Sequence, residues 1–119
     1  MMIMLRDDPV IEVFESAGTP PNWIECIDIE NGEYKFCEDT GQRFVGEVVQ
    51  RAGFLRREQF RLKPEGEPDV MNALRLLDQA KTIEPNEYFA DLESLRRHIL
   101  DRQTKTTDQD TLQAARHVR

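Results

Sequence analysis

At 119 residues, with 33% charged and 39% apolar side chains, the chain is long enough for one hydrophobic core and too short for two ordinary domains. Its apolar content stands above the disordered regime, and no apolar run approaches the ~18 residues of a membrane span. The net charge of −7 argues against general binding to a phosphate backbone, so nucleic acid and membrane are not the expected partners.

Met1–Leu5 is apolar, but no basic stretch precedes it and Arg6-Asp7-Asp8 cuts it off, so it does not read as an export signal. The expected compartment is the cytoplasm, where the two cysteines, Cys26 and Cys37, stay reduced. Asp8 as N-cap, Pro9 at the first helical position and Gly18 past the end predict a short helix over 8–17, with Val10, Val13, Phe14 and Ala17 on one face. The β-branched content keeps a strand at 10–15 as the alternative.

Residues 22–30 and 33–38 read as strands joined by Asn31-Gly32, the residue pair that a two-residue hairpin turn favours. Such a loop would set Ile27 opposite Phe36 and Ile29 opposite Tyr34 on an apolar face, with Asp28 meeting Lys35 on the other. Asp39-Thr40-Gly41 then reads as a three-residue loop with Gly41 left-handed, which pairs Phe36 with Phe44 and lays Tyr34 over Gly46. Further strands are expected at 42–49 and 58–63, the latter with Phe60 and Leu62 inward and with Pro64-Glu65-Gly66 ending it. Two helices follow, 68–81 with the stripe Val70, Ala73, Leu74 and Leu77, and 87–102 with Tyr88, Leu92, Leu95 and Ile99. Residues 103–119 read as a flexible or marginally helical tail after a single domain of residues 1–102. The expected fold is α+β: a three- to four-stranded antiparallel meander with its helices on one face.

The chemistry-bearing motifs are few. The hairpin register would oppose Cys26 and Cys37, a pair whose bridging would be strained, and would oppose Glu25 and Glu38, two like charges that break the local pairing rule. Residues 1–42 carry two basic and ten acidic residues, a net −8, whereas 43–63 carry six basic and two acidic, a net +4. Arg51, Arg56, Arg57, Arg61 and Lys63, interleaved with Phe54 and Phe60, form the one basic segment and the expected partner-binding residues. His98 and His117 sit in no metal or triad spacing, and there is no glycine-rich phosphate loop. No catalytic, cofactor-binding or metal-ligating residue is assigned, and the expected role is a non-catalytic protein–protein interaction or accessory module. Its partner would be another protein, or a second copy bound through an edge strand or the C-terminal tail. A nucleic-acid-binding domain using residues 51–63, and a small-molecule-binding protein or enzyme with a sheet–helix pocket, are the alternatives.

Overall fold

A computed structural model of the chain describes residues 1–51, 53–55 and 57–103. It is an α+β fold: strands β1 (Met2–Leu5) and β2 (Val10–Phe14), helix α1 (Cys26–Glu30), strands β3 (Lys35–Glu38), β4 (Arg43–Gln50) and β5 (Gln59–Glu65), helix α2 (Val70–Gln79), strand β6 (Thr82–Ile83), and a last helix α3 at 92–103. The strands form one mixed sheet in the order β5-β4-β3-β1-β2-β6, antiparallel throughout except for the parallel β2–β6 pair. The tail expected at 103–119 lies outside the described residues from 104 onward.

The Met2–Leu5 run is the inner strand. Met2, Ile3 and Met4 are fully buried and Leu5 nearly so, because the strand is dry on both faces. Ile3 and Leu5 join Ile11, Val13 and Cys37 in a core closed by Ala73, Leu76 and Leu77 of α2 and by Leu95 and Ile99 of α3. Met2 and Met4 join Phe14, Phe36 and Leu62 in a second core on the opposite face, closed by Ile24 and flanked by Ile29 of α1. The two C-terminal helices thus share one face, as expected, and the α1 segment covers the other.

In place of the expected three- to four-stranded antiparallel meander, β1 and β6 extend the sheet to six strands and make it mixed, and residues 8–17 and 22–30 change class. Residues 10–14 are strand, the alternative reading, because β1 supplies an antiparallel partner in register, Ile3 opposite Val13 and Leu5 opposite Ile11. A helix at 8–17 would leave β1 without that neighbour. Residues 22–30 are not a strand, because β1 occupies the edge of β3 that they were expected to fill, with Ile3 opposite Cys37 and Met4 opposite Phe36. The displaced segment folds into α1 and lies over the sheet.

Asn31-Gly32 is the C-terminal cap of α1. Gly32 has φ +67°, its N–H donates to the Ile29 carbonyl at 3.1 Å, and the Glu33 N–H donates to the Asp28 carbonyl at 3.1 Å. These two bonds are the Schellman pattern. A left-handed glycine serves a helix cap and a hairpin turn equally well, so the dipeptide alone does not separate them.

The β3–β4 loop does match expectation. Phe36 pairs with Phe44, and Gly41 has φ +92°. Tyr34 does not cover Gly46, however: a Cβ there would lie 2.4 Å from Cγ2 of Ile29, so α1 takes the space. β5 runs through Pro64 to Glu65, which an edge strand tolerates because the missing N–H there costs no ladder bond. α2 starts after Asp69, whose carboxylate accepts the Met71 N–H at 3.0 Å. Helix at 87–91 is pre-empted by a turn in which Asn86 Oδ1 accepts the Tyr88 and Phe89 N–H groups, both at 2.8 Å. α3 is launched instead by Asp91, whose carboxylate accepts the Ser94 N–H at 2.8 Å.

Gly41 joins the sheet to α2. Its carbonyl accepts the Asp69 N–H at 3.2 Å and the Asn72 side chain at 3.1 Å, and a Cβ on it would stand 2.2 Å from the Asp69 carbonyl oxygen. Gly41→Ala therefore meets both a left-handed backbone and rigid main chain. We expect a loss of about 3 kcal/mol, read by urea unfolding, whereas Gly53→Ala, with open space around it, should change stability little.

Candidate functional site

The expected partner-binding segment lies on the β4–β5 hairpin and the loop that closes it. Val45 faces Lys63, Glu47 faces Arg61 and Val48 faces Phe60 across the ladder, with a bulge between Val48 and Gln50. Leu62 is buried and Arg61 and Lys63 are exposed, the alternation expected for this strand. The basic charge is partly neutralised within the chain. Arg61 Nε lies 2.9 Å from Glu47, and Arg51 lies 2.6 Å from Glu30 at the end of α1. Arg57 and Lys63 have no carboxylate within 4 Å among the described residues, and Arg56 lies outside them.

The hairpin end is apolar as well as basic. Phe54 is 91% exposed and Leu55 90% exposed, and Leu55 has φ +61°. Between this end and the chain leading into α1 runs a cleft of about 530 Å³, walled by Pro20, Pro21, Ile24, Cys26, Val49 and Phe60. The prolines hold the approach extended, and the bulge brings Val49, half exposed, into the same wall. The Cys26 N–H donates to Glu58 Oε1 at 3.4 Å, which ties α1 to the base of β5.

The two rule-breaking pairs do not form. Both depended on the hairpin at residues 22–38, and α1 removes it. Glu25 is the N-cap residue of α1, while Glu38 ends β3 opposite Met2 and accepts the Thr40 hydroxyl at 3.0 Å. Cys26 lies on α1 and Cys37 faces the helix-side core from β3. Both are free and buried. Burial, reinforced by Glu38, pushes the Cys37 thiol up to about 12, so it is a neutral thiol and not a nucleophile at neutral pH.

One cluster was missed by sequence reasoning. Asp39, expected to be a loop residue, has a side chain only 1% exposed. Its Oδ2 lies 2.8 Å from His98 Nε2 and 3.4 Å from Arg102 Nη1, and its Oδ1 lies 3.6 Å from the Met1 nitrogen. The partners stand 59 and 63 residues away, a separation at which no local pattern signals a contact. The imidazole also packs against Phe89, with the rings tilted at 53° and 5.1 Å between their centres. The pair joins α3 to the end of β3 as a clasp.

Among the described residues, no group of three or more His, Cys, Asp or Glu side chains could hold a metal ion, and no helix is long and apolar enough to cross a membrane. No protein-family model, no curated protein and no solved structure matches the chain.

Two measurements follow from the buried groups. Asp39→Ala leaves His98, Arg102 and the Met1 nitrogen facing each other without their anion. Those partners keep access to water, so we expect a cost of about 1–3 kcal/mol from the lost hydrogen bonds, with hydrogen exchange accelerated first in α3. For Cys37 the folded thiol titrates above the unfolded one, which has its ordinary value near 9.0. The native state therefore holds the proton more tightly, and stability falls as pH rises through the window between them. Denaturation at a series of alkaline pH values should show a shallower decline in Cys37→Ala than in the parent chain.

Proposed function

We propose that the chain is a non-catalytic protein-interaction module whose contact surface is the outer end of the β4–β5 hairpin with the proline-walled cleft beside it. One observation carries the reading: an almost fully exposed leucine, Leu55, sits in a left-handed backbone conformation next to an equally exposed phenylalanine. Left-handed backbone costs a leucine about 1–2 kcal/mol, which glycine would not incur. Strain of this kind, kept where no internal packing rewards it, points to a use for the side chain. Exposed apolar groups beside a cleft are also how protein-binding surfaces are built.

The opposed charge blocks make a second copy of this chain the first partner to consider. A two-fold arrangement could set the end of each hairpin in the other's cleft, since hairpin end and cleft adjoin in one chain. Two free, buried cysteines suit a reducing compartment such as the cytoplasm. The nucleic-acid reading draws less support, because Arg51 and Arg61 are already paired with carboxylates.

The test is the double substitution Phe54→Ser and Leu55→Ser. Both side chains are solvent-exposed, so unfolding stability should stay within about 0.5 kcal/mol of the parent. Partner affinity should fall by about 2 kcal/mol or more, read first as self-association by sedentation-equilibrium centrifugation over a wide concentration range, then with any captured protein. A parent chain that is monomeric throughout, and whose captured proteins are all retained by the double variant, would overturn the reading.

A further inference from the structure

A second concavity lies away from the hairpin end. The β3–β4 ladder stops at Phe36 opposite Phe44, while β4 continues to Gln50. Where the ladder stops, a cleft of about 400 Å³ opens beside the flank of α2. Its lining includes three cations from three elements: Lys35 of β3, Arg43 of β4 and Arg75 of α2. No carboxylate lies within 4 Å of any of the three among the described residues, and Lys35 Nζ is held only by the Gln79 side-chain oxygen, at 3.0 Å. Glu65 is the one acidic residue in the lining, and it makes no ion pair there although it is the cross-strand partner of Arg43. Three unpaired cations around one cleft stand out in a chain with 23 acidic residues and 16 basic ones. Elsewhere the arginines mostly face carboxylates: Arg6, Arg51, Arg61, Arg96, Arg97 and Arg102 all do.

The lining of the cleft also includes the apolar side chains of Ile29, Phe44, Val45 and Leu76. Cys37 also lines it, as a neutral thiol, so it adds no charge of its own. We propose that this cleft binds a small organic anion, a carboxylate or a phosphate monoester carrying a compact apolar body. The anionic head meets Arg43, Arg75 and Lys35, and the body lies against Val45 and Leu76. Guanidinium groups recognise both head groups through paired charge-assisted hydrogen bonds. The volume falls in the range of small-molecule sites. The surrounding negative charge disfavours long polyanions, whose charges would extend past the three cations. This site is independent of the hairpin end, and its residues are not those of the protein-interaction reading.

The test is titration of the ¹⁵N-labelled full-length chain with phenyl phosphate, phenylacetate, inorganic phosphate and neutral benzyl alcohol, followed by amide chemical shifts. The expected result is saturable movement of the Lys35, Val45, Gly46 and Leu76 amides with at least one aromatic anion. The tighter of phenyl phosphate and phenylacetate identifies the head group. Inorganic phosphate alone should bind about tenfold more weakly than phenyl phosphate if the phosphate ester is preferred, and benzyl alcohol should move nothing in a saturable way. Arg75→Gln should weaken the aromatic anion about tenfold with the remaining spectrum unchanged, and Arg75→Lys should recover part of the loss. The proposal is overturned by no saturable shift at millimolar anion, by an equal response to benzyl alcohol, or by unaltered affinity in Arg75→Gln. Binding of an oligoglutamate peptide with no response to either aromatic anion would overturn it as well, by showing that the cleft takes an acidic protein segment.

Discussion

The burial of β1 on both faces is the constraint from which the rest of the architecture follows. A strand with four apolar side chains and no polar face needs a hydrogen-bonded neighbour on each side and a cover above and below. β2 and β3 are those neighbours, α2 and α3 are one cover, and the 20–30 segment is the other. An apolar run of this kind does not set its own register, since sliding by one residue would still bury every side chain. The register has to be held from the ends. At one end the Asp39 N–H donates to the Met1 carbonyl at 3.0 Å, and at the other the Arg6 N–H donates to the Val10 carbonyl at 3.0 Å. The Arg6 guanidinium reinforces the second end by reaching Asp8, Glu12 and Glu84, which also ties in the turn after β6.

That reasoning explains why most of the chain from Lys35 onward was legible, apart from β6 and the start of α3, and the first third was not. From Lys35 onward each strand alternates or is bounded by a turn of defined chemistry, so Phe36 opposite Phe44, Leu62 inward and Ala73, Leu77, Leu95 and Ile99 in the core all follow from local pattern. Before Lys35 the deciding fact is non-local. Met2–Leu5 is too short and too uniformly apolar to announce a strand, and once it is omitted β3 has a vacant edge that residues 22–30 can fill on paper. Asn31-Gly32 endorses that error, because its left-handed glycine is compatible with either ending. The candidate sites divide in the same way. The basic hairpin could be found from composition. The Asp39 clasp and the cleft of Lys35, Arg43 and Arg75 join side chains from separate elements and have no signature along the chain.

The charge arrangement has a structural half and an unspent half. Asp39 places a buried carboxylate among His98, Arg102 and the Met1 nitrogen, which replace the water that carboxylate has lost. It ties the last helix to the sheet end. Arg51 with Glu30 and Arg61 with Glu47 do similar but weaker work on the surface, where water and salt screen the attraction. Some of the positive charge not used in this way, Lys35, Arg43 and Arg75, lines one cleft at the α2 flank, while Arg57 and Lys63 stand on the hairpin. An acidic chain that leaves three cations together beside apolar side chains creates a local field opposite in sign to its own, which is a basis for selecting small anions.

Backbone conformation at the hairpin end separates shape from use. Three glycines with positive φ, Gly32, Gly41 and Gly66, sit where the chain must turn, at the end of α1, between β3 and β4, and after β5. At each of these the left-handed conformation is met by the residue that adopts it without steric cost. Leu55 is the only non-glycine residue with positive φ among the described residues. If closing the hairpin were all that its position had to do, glycine would do it with less strain. Leu55 instead projects an apolar side chain into solvent beside Phe54, on the far side of the bulge that turns Val49 toward the proline-walled cleft. Among the described residues, the left-handed cost that a side chain incurs therefore falls on Leu55, the residue on which the proposed interaction reading rests.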